Sequence, residues 1–326
     1  MSTDTLSEVL RAVRLTGAVF FSVDASAPWV AETPSGREIG PHIMPGVEHV
    51  IEYHVLTAGS CWAGIVDEPP IRLEPGDVIV FPQGDSHVMS SAPGMRGGGA
   101  GVEVLDQARS DRLPISIKKD GGGPERAQLV CGFLGCDARP FNPLLDALPR
   151  VLHVRGGASD DGVIAQFVKL ALAESTARRA GGEAILARLS ELLFVEIVRR
   201  YLSALPLDNV GWLAGLRDEN IGRVLSRLHG RPTHDWSLDE LAKEVGMSRS
   251  VLAERFTHFV GVPPMQYLAQ WRMQTAARLL LETRSTVAAI GLDVGYDSEA
   301  AFARAFKRVV GKPPAAWRRE RGGDPE

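Results

Sequence analysis

The sequence predicts a multidomain α+β protein: an antiparallel β-barrel at the N-terminus, a helical hairpin, and an all-α C-terminal domain with two helix-turn-helix motifs. Three observations predict it. Up to about residue 150 the apolar runs are short and interrupted by Gly, Pro, Asp and Ser, the rhythm of strands and turns. Two longer helical runs follow, parted by Gly181-Gly182. From Trp236 to Trp317 one pattern of short helix, glycine turn and serine-capped second helix occurs twice. These changes of pattern place domain boundaries at residues 1–156, 157–212 and 213–326.

A short amphipathic helix is expected near Thr5–Arg14, then strands at Ala18–Val23, Val47–Leu56, Cys61–Val66, Ile71–Leu73 and Val78–Phe81. The most specific stretch is Gly76-Asp77-Val78-Ile79-Val80-Phe81-Pro82-Gln83-Gly84-Asp85-Ser86-His87. Its first glycine opens a turn, a strand crosses the barrel, Pro82 and Gly84 turn the chain again, and His87 points inward from the next strand. On the earlier strand Glu52 and His54 share one face, because side chains repeat every two residues. If that face is inward, Glu52, His54 and His87 converge as one carboxylate and two imidazoles, a set that suits Fe(II), Zn or Ni. Without a metal the same three residues would either hold a polar or anionic effector or serve as satisfied core residues. His42 and His49 lack matching spacing and are expected at the surface.

Val47 to Ser91 resembles a cupin domain. Gly76, Pro82, Gly84 and His87 match the second cupin motif, whose later asparagine is replaced here by Ser91. The first motif is degraded. His54 stands as its second histidine, Glu52 takes the place of the first, and Ala58-Gly59 stand where a glutamate belongs. The resemblance implies a cupin-like, effector-sensing barrel, with a divalent transition metal as an optional cofactor.

The glycine-rich run Gly94–Gly101 lacks the lysine and Ser/Thr of a phosphate loop, and residues 92–126 are expected to form an irregular excursion. Cys131 and Cys136 are either core residues or a redox-active pair. An odd number of cysteines, no signal-peptide pattern and no apolar run of membrane-spanning length lead to the expectation of a cytoplasmic protein.

In the middle segment, Asp160 or Asp161 is expected to cap a helix reaching about Arg179, with Val163, Ile164, Phe167, Leu170 and Ala171 on one face. A second helix, Glu183 to Leu205, carries Ile185, Leu186, Leu189, Leu192, Leu193, Ile197 and Tyr201. That is more apolar surface than one barrel wall is expected to bury.

In the C-terminal domain Gly246 and Gly295 follow apolar residues at helix ends, where a left-handed residue closes a helix without a Cβ clash. Ser248 and Ser298 then cap the second helix of each copy. The buried faces are expected at Val251, Leu252, Phe256, Phe259 and Val260, and at Ala301, Phe302, Ala305, Phe306, Val309 and Val310. Pro263-Pro264 start a connecting helix that runs to about Glu282. Its roughly 28 Å at 1.5 Å per residue suits two recognition helices in successive major grooves.

Residues 217–321 resemble the AraC/XylS family of transcription regulators. The landmarks are Gly246-Met247-Ser248-Arg249-Ser250, Gln266-Tyr267-Leu268-Ala269-Gln270-Trp271-Arg272-Met273, Val294-Gly295-Tyr296-Asp297-Ser298 and Gly311-Lys312-Pro313-Pro314. The resemblance implies DNA contacts from Ser248, Arg249, Ser250, Ala253, Glu254 and Arg255, and from Ser298, Glu299, Ala300, Arg304 and Lys307. It also implies a homodimer formed through the helical hairpin. From Leu216 onward there are 17 basic and 14 acidic residues, within a chain of net charge −4, so the tail is mildly basic and the rest acidic. No catalytic constellation stands out. The expected partners are promoter DNA, a small-molecule effector, a second copy and, for an activator, RNA polymerase. A metal-dependent cupin enzyme fused to a DNA-binding module is the alternative.

Overall fold

The structure, a computed structural model, describes residues 4–97, 115–156, 162–177, 179–206 and 209–321. The chain forms two compact units. One comprises Leu15–Cys136 and Leu148–Ala204; the other comprises Met1–Arg14, Asp137–Ala147 and Leu205–Glu326. The division is drawn differently from the predicted boundaries. The helical hairpin lies inside the first unit, and the N-terminal helix and residues 137–147 belong to the second.

Among the described residues the first unit contains ten strands: β1 (Thr16–Ser26), β2 (Val30–Thr33), β3 (His49–Gly59), β4 (Cys61–Ile65), β5 (Ile71–Leu73), β6 (Val78–Phe81), β7 (His87–Ser90), β8 (Ile115–Asp120), β9 (Arg126–Cys136) and β10 (Leu152–Val154). They form a six-stranded sheet, β10-β6-β3-β9-β1-β8, and a four-stranded sheet, β2-β7-β4-β5. The predicted barrel is therefore two sheets that do not close, and it is not wholly antiparallel, since β8 pairs parallel to β1. β8 also lies in the stretch expected to be irregular; residues 98–114 of that stretch are outside the described residues. Gly36–Ile43 forms a helix that the sequence pattern hid, because Gly40 and Pro41 interrupt its periodicity while Ile39 and Ile43 are buried.

Alternation along the strands sorts the core. Val50 and Leu56 of β3, Ile79 and Phe81 of β6, and Leu129, Cys131 and Phe133 of β9 share one cluster with Cys61, Ile65, Leu73 and Met89 of the smaller sheet. Tyr53, Val55 and Val130 point the other way, against Leu189, Leu193, Phe167 and Ala171 of the hairpin helices Val163–Ala177 and Gly182–Ala204. Tyr53 and Ser190 share a buried hydrogen bond of 2.8 Å between hydroxyls. Gly132 makes this possible, because a Cβ there would lie 2.3 Å from the Tyr53 hydroxyl. The hairpin's apolar residues divide accordingly. Leu186, Leu189, Leu193 and Ile197 are buried within their own chain, whereas Val163, Leu170, Ile185 and Leu192 are 44–56% exposed. Val163 and Leu170 thus leave the buried face assigned to them.

The second unit is helical. Its centre is the helix Pro264–Glu282, with a proline in its first turn as expected. Tyr267 in this helix accepts a hydrogen bond from Trp212 Nε1 at 2.8 Å and lies 2.8 Å from His229 Nε2. An indole can only donate, so the phenol is free to donate onward to a neutral imidazole. Farther along, the buried Gln274 donates to Ala12 O (3.0 Å) and accepts from Phe141 N (3.1 Å). One side chain thereby joins three segments distant in sequence. Arg14 and Asp137 add a two-pronged ion pair at 2.7 Å.

Candidate functional site

Two sites emerge, a pair of exposed helix faces in the helical unit and a buried polar cluster in the sheet unit. In the first helix-turn-helix, Ser237 caps Leu238–Glu244 and Ser248 caps Arg249–Val260. In the second, Thr286 caps Val287–Asp293 and Ser298 caps Glu299–Val310. The turns match in geometry. Gly246 and Gly295 have φ of 68° and 88°, and the next residue donates back to Ala242 O or Gly291 O at 2.9 Å in both copies. The copies also end alike, on Gly261 and Gly311 with φ of 82° and 84°. The second turn is one residue longer, Asp297 being inserted before the capping serine.

The first turns of the second helix in both copies face outward. Ser248, Arg249, Ser250, Glu254 and Arg255 are exposed, Ala253 is half-buried, and Ser298, Glu299, Ala300, Arg304 and Lys307 are exposed. Not all the cations are equally available. Arg255 pairs with Asp218 at 2.5 Å, and Asp218 also caps the helix Glu219–Gly230, so this arginine braces the unit. Arg249 meets Asp239 at 3.1 Å with both side chains largely exposed, a weak tie. Arg304 and Lys307 have no ion-pair partner among the described residues. Val251, expected in the buried face, is 50% exposed and joins the outer surface beside Ser250. Phe259 and Val260 are only half-buried.

The structure brings Glu52, His54 and His87 together. Glu52 and His54 come from β3 and His87 from β7, so the two sheets face one another across the cluster. One potential ligand atom from each lies within 4.8 Å of the others, and all three residues are buried. His54 Nε2 and His87 Nε2 are 2.8 Å apart, and His87 Nε2 is 3.7 Å from Glu52 Oε2. His87 Nδ1 donates to Asp85 O at 3.0 Å, which leaves its Nε2 lone pair aimed into the cluster. Phe81 stacks on His87 with centroids 3.9 Å apart, and Glu52 stands between Phe81 and Phe133 in register. Burial pushes the Glu52 carboxyl well above its ordinary range. Burial, and then the neighbouring His87 imidazole, push His54 well below its own, and burial pushes His87 down to about 4. Burial thus disfavours the charged form of all three groups.

Other sequence expectations fall elsewhere. His49 is half-buried and bonded to Pro82 O at 2.7 Å, which removes it from the free surface. Cys131 and Cys136 lie on opposite faces of β9, so they do not form a pair. The electrostatic neighbours of Cys131 are Cys61, across the core, and Glu52. Burial pushes the Cys61 thiol up to about 12 and Cys131 higher still, so both stay protonated. Cys61 was not singled out from sequence, because nothing local shows that β4 faces β9.

Comparison with known proteins matches a family to each of the two units. Residues 4–203 match the family described as "Cupin", and residues 241–320 match "Helix-turn-helix domain". A putative AraC-like transcription regulator of Streptomyces lividans is 32% identical, over 97% of this chain and 98% of its own. A second such protein, from Streptomyces antibioticus, is 29% identical over the same shares. The regulator AlkR of Acinetobacter baylyi is 26% identical over 97% of this chain and 99% of its own. Among the described residues no helix is long and apolar enough to cross a membrane. With a cupin-type sheet unit joined to a doubled helix-turn-helix, the chain belongs to the family of AraC-like transcription regulators.

Proposed function

We propose that the chain reads promoter DNA through the first turns of Arg249–Val260 and Glu299–Val310, and that an effector held around Glu52, His54 and His87 governs that reading. The chain regulates and catalyses no reaction. The observation that carries this proposal is the repeated cap-and-turn geometry, which presents two polar helix starts outward from one connecting helix. Arg304 is the residue assigned to a base edge, since it is exposed and without an ion-pair partner among the described residues, while Arg255 is committed to Asp218. Arg249 and Lys307 are assigned to phosphates. Arg304→Ala is expected to cost about 1–3 kcal/mol of discrimination at one operator position. Binding measured against a series of single-base variants tests this. Equal loss at every position would reassign Arg304 to the phosphate backbone.

The working form is a homodimer, and its contact lies on the exposed stripe of the hairpin. Val163 and Leu170 on one helix, and Ile185 and Leu192 on the other, lie seven residues apart and therefore on single helix faces. Leu192→Glu is expected to yield a folded monomer, read by light scattering at micromolar concentration. Leu189→Glu, at a residue packed against Val55 and Val130, is expected to destabilise the unit instead. A Leu192→Glu protein that remains dimeric would move the contact elsewhere. For an activating complex, RNA polymerase is the further partner.

A further inference from the structure

We propose that a cavity at the far end of the helix Glu299–Val310 binds a small organic carboxylate with an apolar body. The site lies wholly within the helical unit, so it is distinct from the effector reading of the sheet unit and does not depend on it.

Three observations carry it. First, the cavity measures about 350 Å³, a size at which small ligands are held, and much of its lining is apolar: Val309, Val310, Pro140 and Trp317. Second, Arg139, Lys312 and Arg321 line it against a single carboxylate, that of Glu320. Glu320 is paired with Lys312, and the Arg321 guanidinium lies over the Trp317 ring, 3.9 Å from its centroid. More cations than carboxylates therefore border an apolar hollow. Third, Trp317 is 5% exposed, and its Nε1 is buried with no hydrogen-bond acceptor among the described residues. An indole nitrogen can only donate, and a buried donor left unsatisfied is costly. A ligand carboxylate brings the kind of acceptor that this donor lacks.

The lining sets the ligand's class. Guanidinium and ammonium groups form their strong bonds with an anion, and arginine matches a carboxylate with two parallel N–H donors. The side chains of Val309, Val310 and Pro140 offer contact surface to a compact hydrocarbon body and no polar partner. The frame around the cavity is fixed. Arg318, in the final helix Pro314–Arg321 with Trp317, donates to Leu280 O at 3.0 Å and to Ser285 O at 2.7 Å. The Trp317 ring makes an edge contact with Phe306 at 6.1 Å, and Phe306 and Phe302 seat the helix Glu299–Val310 in the same cluster. A ligand against Trp317 and Val310 would brace the end of that helix and leave its exposed first turn untouched.

The test titrates the full-length protein with cyclohexylacetate, and separately with its neutral carboxamide, while NMR follows the indole N–H resonances. The Trp317 resonance is expected to move with a Kd on the order of 1 mM. The carboxamide should bind about tenfold more weakly, for want of a charge-assisted bond. Loss of the peak in Trp317→Phe assigns it, and backbone connectivities assign it if that variant fails to fold. The Lys312 side chain is 53% exposed, so Lys312→Ala should fold. It should weaken the carboxylate by roughly threefold to tenfold and leave the carboxamide unchanged. A Trp317 resonance unmoved by about 20 mM cyclohexylacetate in folded wild-type protein overturns the proposal. Equal binding of acid and amide does the same, as does wild-type affinity for the acid in both Lys312→Ala and Arg139→Ala.

Discussion

Phe302→Ala is expected to cost about 3–5 kcal/mol and to disable the second recognition helix while sparing the first. Phe302 is fully buried in a cluster with Met273, Ala276, Leu280, Ile290, Val294, Phe306 and Trp317, all from the second motif, the final helix and the latter half of the connecting helix. Its ring makes an edge contact with Phe306 at 5.6 Å and lies 5.7 Å from Tyr296 in the turn. Gly291 sits so close that a Cβ there would stand 3.0 Å from Phe302 Cβ, so the two helices of the motif meet through this ring. Truncation leaves a cavity that the rigid turn cannot close. Phe256 plays the matching part in the first motif, with its ring 5.8 Å from Tyr267. On DNA, the Phe302→Ala protein should protect only the groove read by Arg249–Val260. A full-length footprint from this variant would show that the second helix is not positioned by its own core.

Acid should destabilise the helical unit well before its carboxylates titrate. His229 is buried beside Tyr267 and Trp271, the latter with ring centroids 4.0 Å away, and burial pushes its pKa down to about 3. In the unfolded chain the same imidazole titrates near 6.5. A depressed folded pKa means that the unfolded state binds the extra proton between these limits. The stabilisation is therefore complete above about pH 6.5 and declines on acidification toward pH 3, by on the order of 1.4 kcal/mol per unit. Urea unfolding at pH 7, 6 and 5, followed by tryptophan fluorescence in a variant whose sheet-unit Trp29 and Trp62 are replaced by Phe, reports this unit through Trp212, Trp236, Trp271 and Trp317. A falling midpoint over that range is expected, and its slope should flatten in His229→Gln. Stability unchanged between pH 7 and 5 would mean that His229 accepts a proton inside the folded unit.

Both expectations depend on features of unequal visibility in the sequence. The helix-turn-helix copies were legible because their determinants are local. A left-handed glycine, a capping serine three residues before the amide it accepts, and apolar residues every three or four positions all fall within one short window. The convergence of Glu52, His54 and His87 was partly legible. Alternation places the first two on one face, while the turn at Pro82–Gly84 leads to the third. The two-sheet arrangement that seats His87 opposite them was not visible, since sheet pairing is set by contacts far apart in sequence. The same reason hid the pairing of β8 with β1 and the company of Cys61 and Cys131. The hairpin was misjudged for another cause. Both of its helices are apolar on more than one side, and periodicity cannot say which side meets the sheet. Leu189 and Leu193 are buried while Leu192 lies open, although all three look alike in sequence. Gln274 shows the limit most plainly. A polar residue in a helix gives no sign that it bonds to Ala12 and Phe141.

The central claim is that two similar helices of one chain read DNA together. The most direct measurement is footprinting on sites selected from random sequence, repeated across salt concentrations. Two protected major-groove segments per chain are predicted, on one face of the duplex and about 34 Å apart, with affinity falling steeply as salt rises. Selection of no common sequence, or a single protected groove in the wild-type protein, would contradict it.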